Sequence, residues 1–188
     1  MSTIARRTLL GSLALASAGT LLTRPAAATL VCGMSIDELV GRSQHAVLVT
    51  PVGSHCLRAK IGGRTMIVTE IQVRVEGVVG LTSPGESELA VRSLGGQLAG
   101  SGELVHGQAE LQPGQLCVVF LERMPDGICW VTGMAQGHYP LERNGASFVL
   151  RASPELPTIR DWEQSAVKRL VGARLSEAER LVASARAR

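Results

Sequence analysis

Two short apolar runs joined by one strongly specified turn constrain this chain more than any other feature. Val118, Val119, Phe120 and Leu121 form the first run, and Ile128–Met134 forms the second. Between them stands Met124-Pro125-Asp126-Gly127. Proline pre-sets φ for the first central position, aspartate suits the second, and glycine takes the left-handed position that follows. The stretch Gln115–Leu141 therefore predicts a β-hairpin with buried central strands, to which other strands and helices are added.

The first 28 residues read as a leader, not as part of the fold. Met1–Ala28 fits a cleaved secretory signal: Arg6 and Arg7 give the charged start, Leu9–Leu22 the apolar run, and Ala26-Ala27-Ala28 the small-residue cleavage site. The run is shorter than the roughly 20 residues a bilayer-spanning helix needs. Ala5-Arg6-Arg7-Thr8-Leu9-Leu10 also resembles a twin-arginine signal, although Leu9 stands where an aromatic is usual, so the general secretory route stays open. The expected product starts at Thr29, is periplasmic or extracellular, and keeps no membrane anchor. Val31 is not the small residue that normally precedes a lipidated cysteine, which argues against lipid on Cys32.

Removing the leader changes the charge argument. Arg6, Arg7 and Arg24 belong to it, so the remaining basic residues balance the 16 acidic ones. A neutral mature chain gives no reason to expect nucleic acid or an anionic membrane as partner. The four cysteines, Cys32, Cys56, Cys117 and Cys129, all lie in the mature chain. An even count in an oxidising compartment predicts two disulfides. No Cys-x-x-Cys pair suggests a metal. In the hairpin, Cys117 and Cys129 should lie about 15–20 Å apart, from a rise of about 3.3 Å per residue. A disulfide needs about 4.4–6.8 Å between Cα atoms. Each is therefore expected to pair with Cys32 or Cys56, as Cys32–Cys129 with Cys56–Cys117 or in the reverse pattern.

Along the mature chain, Ser35-Ile36-Asp37-Glu38 forms a capping box and predicts a short helix over Ile36–Ser43. His45–Val52 is β-prone, and Ser54–Gly63 reads as a loop carrying Cys56. Thr65–Val75 alternates β-branched and polar residues and predicts a strand, and Glu88–Arg92 predicts another. Ser93–Gly114 holds six glycines at spacings that match no phosphate-binding motif, so loops or bulged strands are expected there. Ser147–Arg151 predicts a last strand. Helices are expected from Ile159 to Leu170 and again from Ser176. This order predicts a mainly β, α+β fold with antiparallel strands and terminal helices. The expected domain is a small barrel over residues 29–153, with a helical segment, 154–188, packed on it.

The chemistry-bearing residues are sparse. No G-x-S-x-G elbow is present, and adjacent Ser54 and His55 point to opposite faces of an extended chain. His45, His55, His106 and His138 lack metal-ligand spacing, and no cofactor motif occurs. The most distinctive stretch is Met134-Ala135-Gln136-Gly137-His138-Tyr139-Pro140-Leu141. Gln136, His138 and Tyr139 are candidate binding residues at the barrel mouth, with Tyr139 alternatively capping the core. Gly95 and Gly96 open the second candidate loop, Gly95–Gly107.

Ala46-Val47-Leu48-Val49, then Thr69 through Val75-Glu76-Gly77-Val78-Val79-Gly80, then Pro113-Gly114-Gln115 before Cys117–Leu121, resembles netrin-like modules. That family includes the tissue inhibitors of metalloproteinases, and the whole chain also resembles exported bacterial proteins of unassigned function. The resemblance implies an OB-like five-stranded barrel with a terminal helix and disulfides. In the inhibitors, an N-terminal cysteine binds the target's zinc through its amino group and carbonyl. Here Thr29-Leu30-Val31 precede Cys32, so that role does not carry over. The expected function is a non-catalytic exported module that binds a protein or small ligand in the cell envelope or outside the cell. One alternative is an exported enzyme using His138 with Glu110 or Glu142, and another is an inhibitor of a secreted protease.

Overall fold

The computed structural model describes residues 30–188 of the chain. The expected signal segment, Met1–Ala28, lies outside the described residues. Those residues form, in order, β1 (Leu30–Cys32), α1 (Ile36–Arg42), β2 (His45–Ile61), β3 (Arg64–Val78), β4 (Glu88–Leu94), β5 (Gly96–Leu98) and β6 (Ser101–Glu103). Next come β7 (Cys117–Arg123), β8 (Cys129–Val131), β9 (His138–Asn144), β10 (Ser147–Leu150), β11 (Thr158–Arg160), α2 (Ala166–Leu170) and α3 (Leu175–Arg186). Single 3-10 turns cover Met134–Gly137 and Trp162–Gln164. The fold is mainly β with helices at its two ends, as the order of patterns predicts.

The expected hairpin is present as β7 and β8. Met124 and Ile128 close it through Met124 N–H donating to the Ile128 carbonyl at 2.9 Å, and Gly127 has φ +83°. Asp126 Oδ1 accepts from the Ile128 N–H at 3.2 Å. Around the hairpin, seven strands form a mixed sheet in the order β10-β9-β7-β2-β3-β4-β8. β8 also pairs back onto β7, so β7, β2, β3, β4 and β8 make a partial ring. Its seam is thin: the parallel β4–β8 contact has only Val91↔Cys129 and Arg92↔Trp130.

β7 is buried on both faces, which explains its unbroken apolar run. Val118 and Phe120 face one core with Ile36, Leu39, Leu170 and Val182 from the helices. Cys117, Val119 and Leu121 face the other, with Val47, Val49, Ile71 and Val73 inside the ring. Side chains alternate across a strand, so a strand between two cores must be apolar throughout. α1 has the predicted capping box: Ser35 Oγ accepts from Glu38 N–H at 3.2 Å, and Glu38 Oε2 accepts from Ser35 N–H at 2.8 Å. In α3, Ala178, Val182 and Ala185 are buried, with Leu181 partly buried against the same core.

Three expectations are corrected. Ser54–Gly63 is not a loop, because β2 continues to Ile61 and turns at Gly62-Gly63 into β3. Pairing with β3 across the Gly62-Gly63 turn overrides the weak strand pattern there. The helix expected from Ile159 begins only at Ala166. Thr158–Arg160 pairs in parallel with β1 instead, and Ser165 caps α2 by accepting from Lys168 N–H at 3.2 Å.

The third correction concerns the disulfides. Cys32, Cys56, Cys117 and Cys129 are all free thiols, so neither expected pairing forms. The register explains it. Cys117 sits opposite Pro140 and Val49, Cys129 opposite Arg123 and Val91, Cys56 opposite Thr69, and Cys32 opposite Arg160. Ladder neighbours of each cysteine are other residue types, and even cysteine count alone does not bring two thiols together.

Candidate functional site

The candidate binding residues separate into two places. Gln136, His138 and Tyr139 lie inside the protein, whereas Gly95 and Gly96 border an open cleft. Among the described residues, none of the first three lines a groove, and the structure places them in the interior, not at a barrel mouth.

The internal group follows from the 3-10 turn at Met134–Gly137, which feeds directly into β9. β9 pairs with β7, placing His138 opposite Val119 and Tyr139 opposite Val118. Consecutive strand residues point to opposite faces, so the two rings enter different cores. Tyr139 is fully buried and meets Phe120 edge to face, with ring centroids 6.0 Å apart. Its hydroxyl has no partner among the described residues, and burial raises its pKa. His138 is 1% exposed; its Nδ1 shares a 2.9 Å hydrogen bond with Ser153 Oγ, and Nε2 is unpartnered among the described residues. Burial lowers its pKa to about 4, so the ring is neutral at pH 7. Neither Glu110 nor Glu142 is its hydrogen-bond partner; Glu142 instead pairs with Arg151 at 2.5 Å. A neutral imidazole sealed from solvent does not reach a substrate.

Gln136 has a structural task. Its Oε1 accepts from Met34 N–H at 2.9 Å, and its Nε2 donates to the Cys32 carbonyl at 3.1 Å. With β1 paired to β11, the Cys32 carbonyl is thus engaged within the fold, unlike the zinc-binding carbonyl of the inhibitors.

The cleft lies where β3 and β4 meet the segment from Gly95 to Pro113. Its volume is about 340 Å³. Gly95 (φ +92°) and Gly96 (φ +129°) turn the chain sharply away from β4. A Cβ at Gly96 would lie 2.7 Å from Cys56 Sγ, and one at Gly95 would lie 2.7 Å from the Glu103 carbonyl. Only glycine permits this approach. Thr69 Oγ1 donates to the Gly95 carbonyl at 2.9 Å, and Glu103 Oε2 accepts from Ile67 N–H at 3.1 Å, pinning the loop to β3.

Ile71, Leu94 and Leu111 give the cleft an apolar floor, and Ser93, Gln108 and Glu110 add polar groups. Leu104, 79% exposed, stands at its rim. Leu104 falls within the expected loop Gly95–Gly107, whereas Ser93 and Gln108 lie just outside it, and no spacing links the three; only the fold brings them to one surface. The one available signal was the glycine pair, which marks where the chain leaves the sheet. Among the described residues, no three His, Cys, Asp or Glu side chains cluster to hold a metal ion, and no helix is long and apolar enough to cross a membrane.

No family model, no curated protein and no solved structure matches the chain.

Proposed function

We propose that the protein is an exported, non-catalytic binding module that holds its ligand in the cleft above β3 and β4. The carrying observation is a concave, apolar-floored site with convergent polar groups, built on a sheet and fixed by two glycines. Such sites are where small ligands and peptide segments bind. The ring of β2, β3, β4, β8 and β7 supports the finer reading of a small OB-like barrel, with the cleft on its wall. The leader pattern of Met1–Ala28 supports export. The buried, neutral His138 weighs against the enzyme alternative.

The test pairs a ligand search with two variants. A ligand identified by mass in the exported fraction should lose about tenfold or more in affinity on Leu104→Asp. His138→Gln, at a residue that does not line the cleft, should leave affinity unchanged. Unaltered binding by Leu104→Asp removes the cleft from the reading, and a turnover lost in His138→Gln replaces the module with an enzyme.

A further inference from the structure

The β2–β3 hairpin outruns the sheet that supports it. β2 pairs with β7 only over His45–Val49, and β3 pairs with β4 only as far as Val68↔Leu94. Beyond those points, Arg58–Ile61 and Arg64–Met66 form a two-stranded arm ending at Gly62-Gly63, with Lys60 opposite Thr65 and Ile61 opposite Arg64, and Ile67 at its base tied to Gly95 and Glu103. A two-stranded ribbon is marginal in water and gains stability from a covering surface. Arg58, Lys60 and Arg64 are exposed, residues 57–66 contain no carboxylate, and none of these three cations forms an ion pair among the described residues.

The cleft carries the opposite sign. Glu103, Glu110 and Glu155 border it, all exposed and none ion-paired among the described residues, and its lining holds no Lys, Arg or His. The arm and the cleft are neighbours, because Ser54 and Thr69 at the arm's base also line the cleft. Adjacent patches of opposite sign on one surface are self-complementary about a two-fold axis: each patch meets the other's counterpart, and the contact closes.

We propose that the protein forms a two-fold dimer in which the basic arm of each copy lies in the acidic cleft of the other. This rests on reading the cleft as the binding site, and it names a second copy as the occupant. The three cations and three carboxylates are matched twice in the pair, with the exposed Leu104 as an apolar contact at each rim. Complementary charge of this kind sets register and speeds encounter. A second copy is favoured over a foreign basic peptide because the complementary charges already sit on this chain.

Sedimentation velocity on the exported protein tests it, with circular dichroism confirming that each variant is folded. The wild type should pass from monomer to dimer with rising concentration, less readily at high salt. Lys60→Glu with Arg64→Glu should be monomeric, and so should Glu110→Lys with Glu155→Lys. Mixing these two variants should restore a dimer, since both arm–cleft pairs then match in sign, reversed arm with reversed cleft and native arm with native cleft. A monomeric wild type, a dimer indifferent to both reversals, or a mixture that stays monomeric overturns the proposal. A monomeric wild type that still binds a ligand in a Leu104-dependent way sinks the dimer and keeps the cleft.

Discussion

His138 spends its ionisable group on packing, and this makes the protein acid-sensitive. Its folded pKa of about 4 lies below the ordinary value of 6.5, the cause being burial. Between those values the unfolded chain binds the extra proton, so stability falls as pH drops through the window and is fully present above it. Two and a half pH units correspond to about 3 kcal/mol. Urea denaturation at pH 7 and pH 4.5 should show a loss in the wild type that is much smaller in His138→Gln. An equal loss in both would place the acid sensitivity elsewhere. The thiols give a second residue-scale expectation. Burial pushes Cys117 up to about 12 and raises Cys129 as well, whereas Cys32 is exposed and Cys56 is half-buried. Protein purified without reductant should titrate four thiols in denaturant. In the native state only Cys32 and Cys56 should react promptly. Fewer than four thiols in denaturant would restore a disulfide.

Elements whose local pattern agrees with their environment were readable in advance. The capping box of α1, the turn at Pro125-Asp126-Gly127 and the alternation in β3 all reappear, because caps, turns and strand faces are set by near neighbours. β2 past Ser54 lacks a clean alternation and is held as a strand by pairing with β3 across the Gly62-Gly63 turn, whereas β11 at Thr158–Arg160 gains its hydrogen bonds from β1 at the far end of the described chain. The ring's closure depends on one such long-range contact. Arg92, 8% exposed, donates to Glu70 Oε1 at 2.5 Å and to Asp126 Oδ2 at 2.9 Å, tying β3, β4 and the β7–β8 turn. Burial works against its charge, and the hydrogen bonds to Glu70 and then Asp126 outweigh that and raise its pKa. Arg92→Ala should cost about 3 kcal/mol, since it leaves Glu70 largely buried without its partner. Chemical denaturation measures this, and a loss below about 1 kcal/mol would show that the seam closes without Arg92.

For the whole molecule, the two ends of the described chain depend on each other. β1 pairs with β11, Gly33 N–H donates to the Arg160 carbonyl at 2.9 Å, and α3 completes the core that α1 begins. Under the proposed export, leader cleavage would have to spare Leu30. N-terminal sequencing should find Thr29 first, and a start at a lipid-bearing Cys32 would contradict this. What the sequence determined unaided was the mainly β composition of the fold, the central hairpin, the helix at Ile36 and the amphipathic α3, because turn chemistry and periodicity act over a few residues. Only the tertiary structure decided that the thiols stay apart, that His138 faces a core, and that Leu104, Gln108 and Glu110 share a cleft with Thr69. Those outcomes depend on strand register, and register is set by residues far apart in the chain.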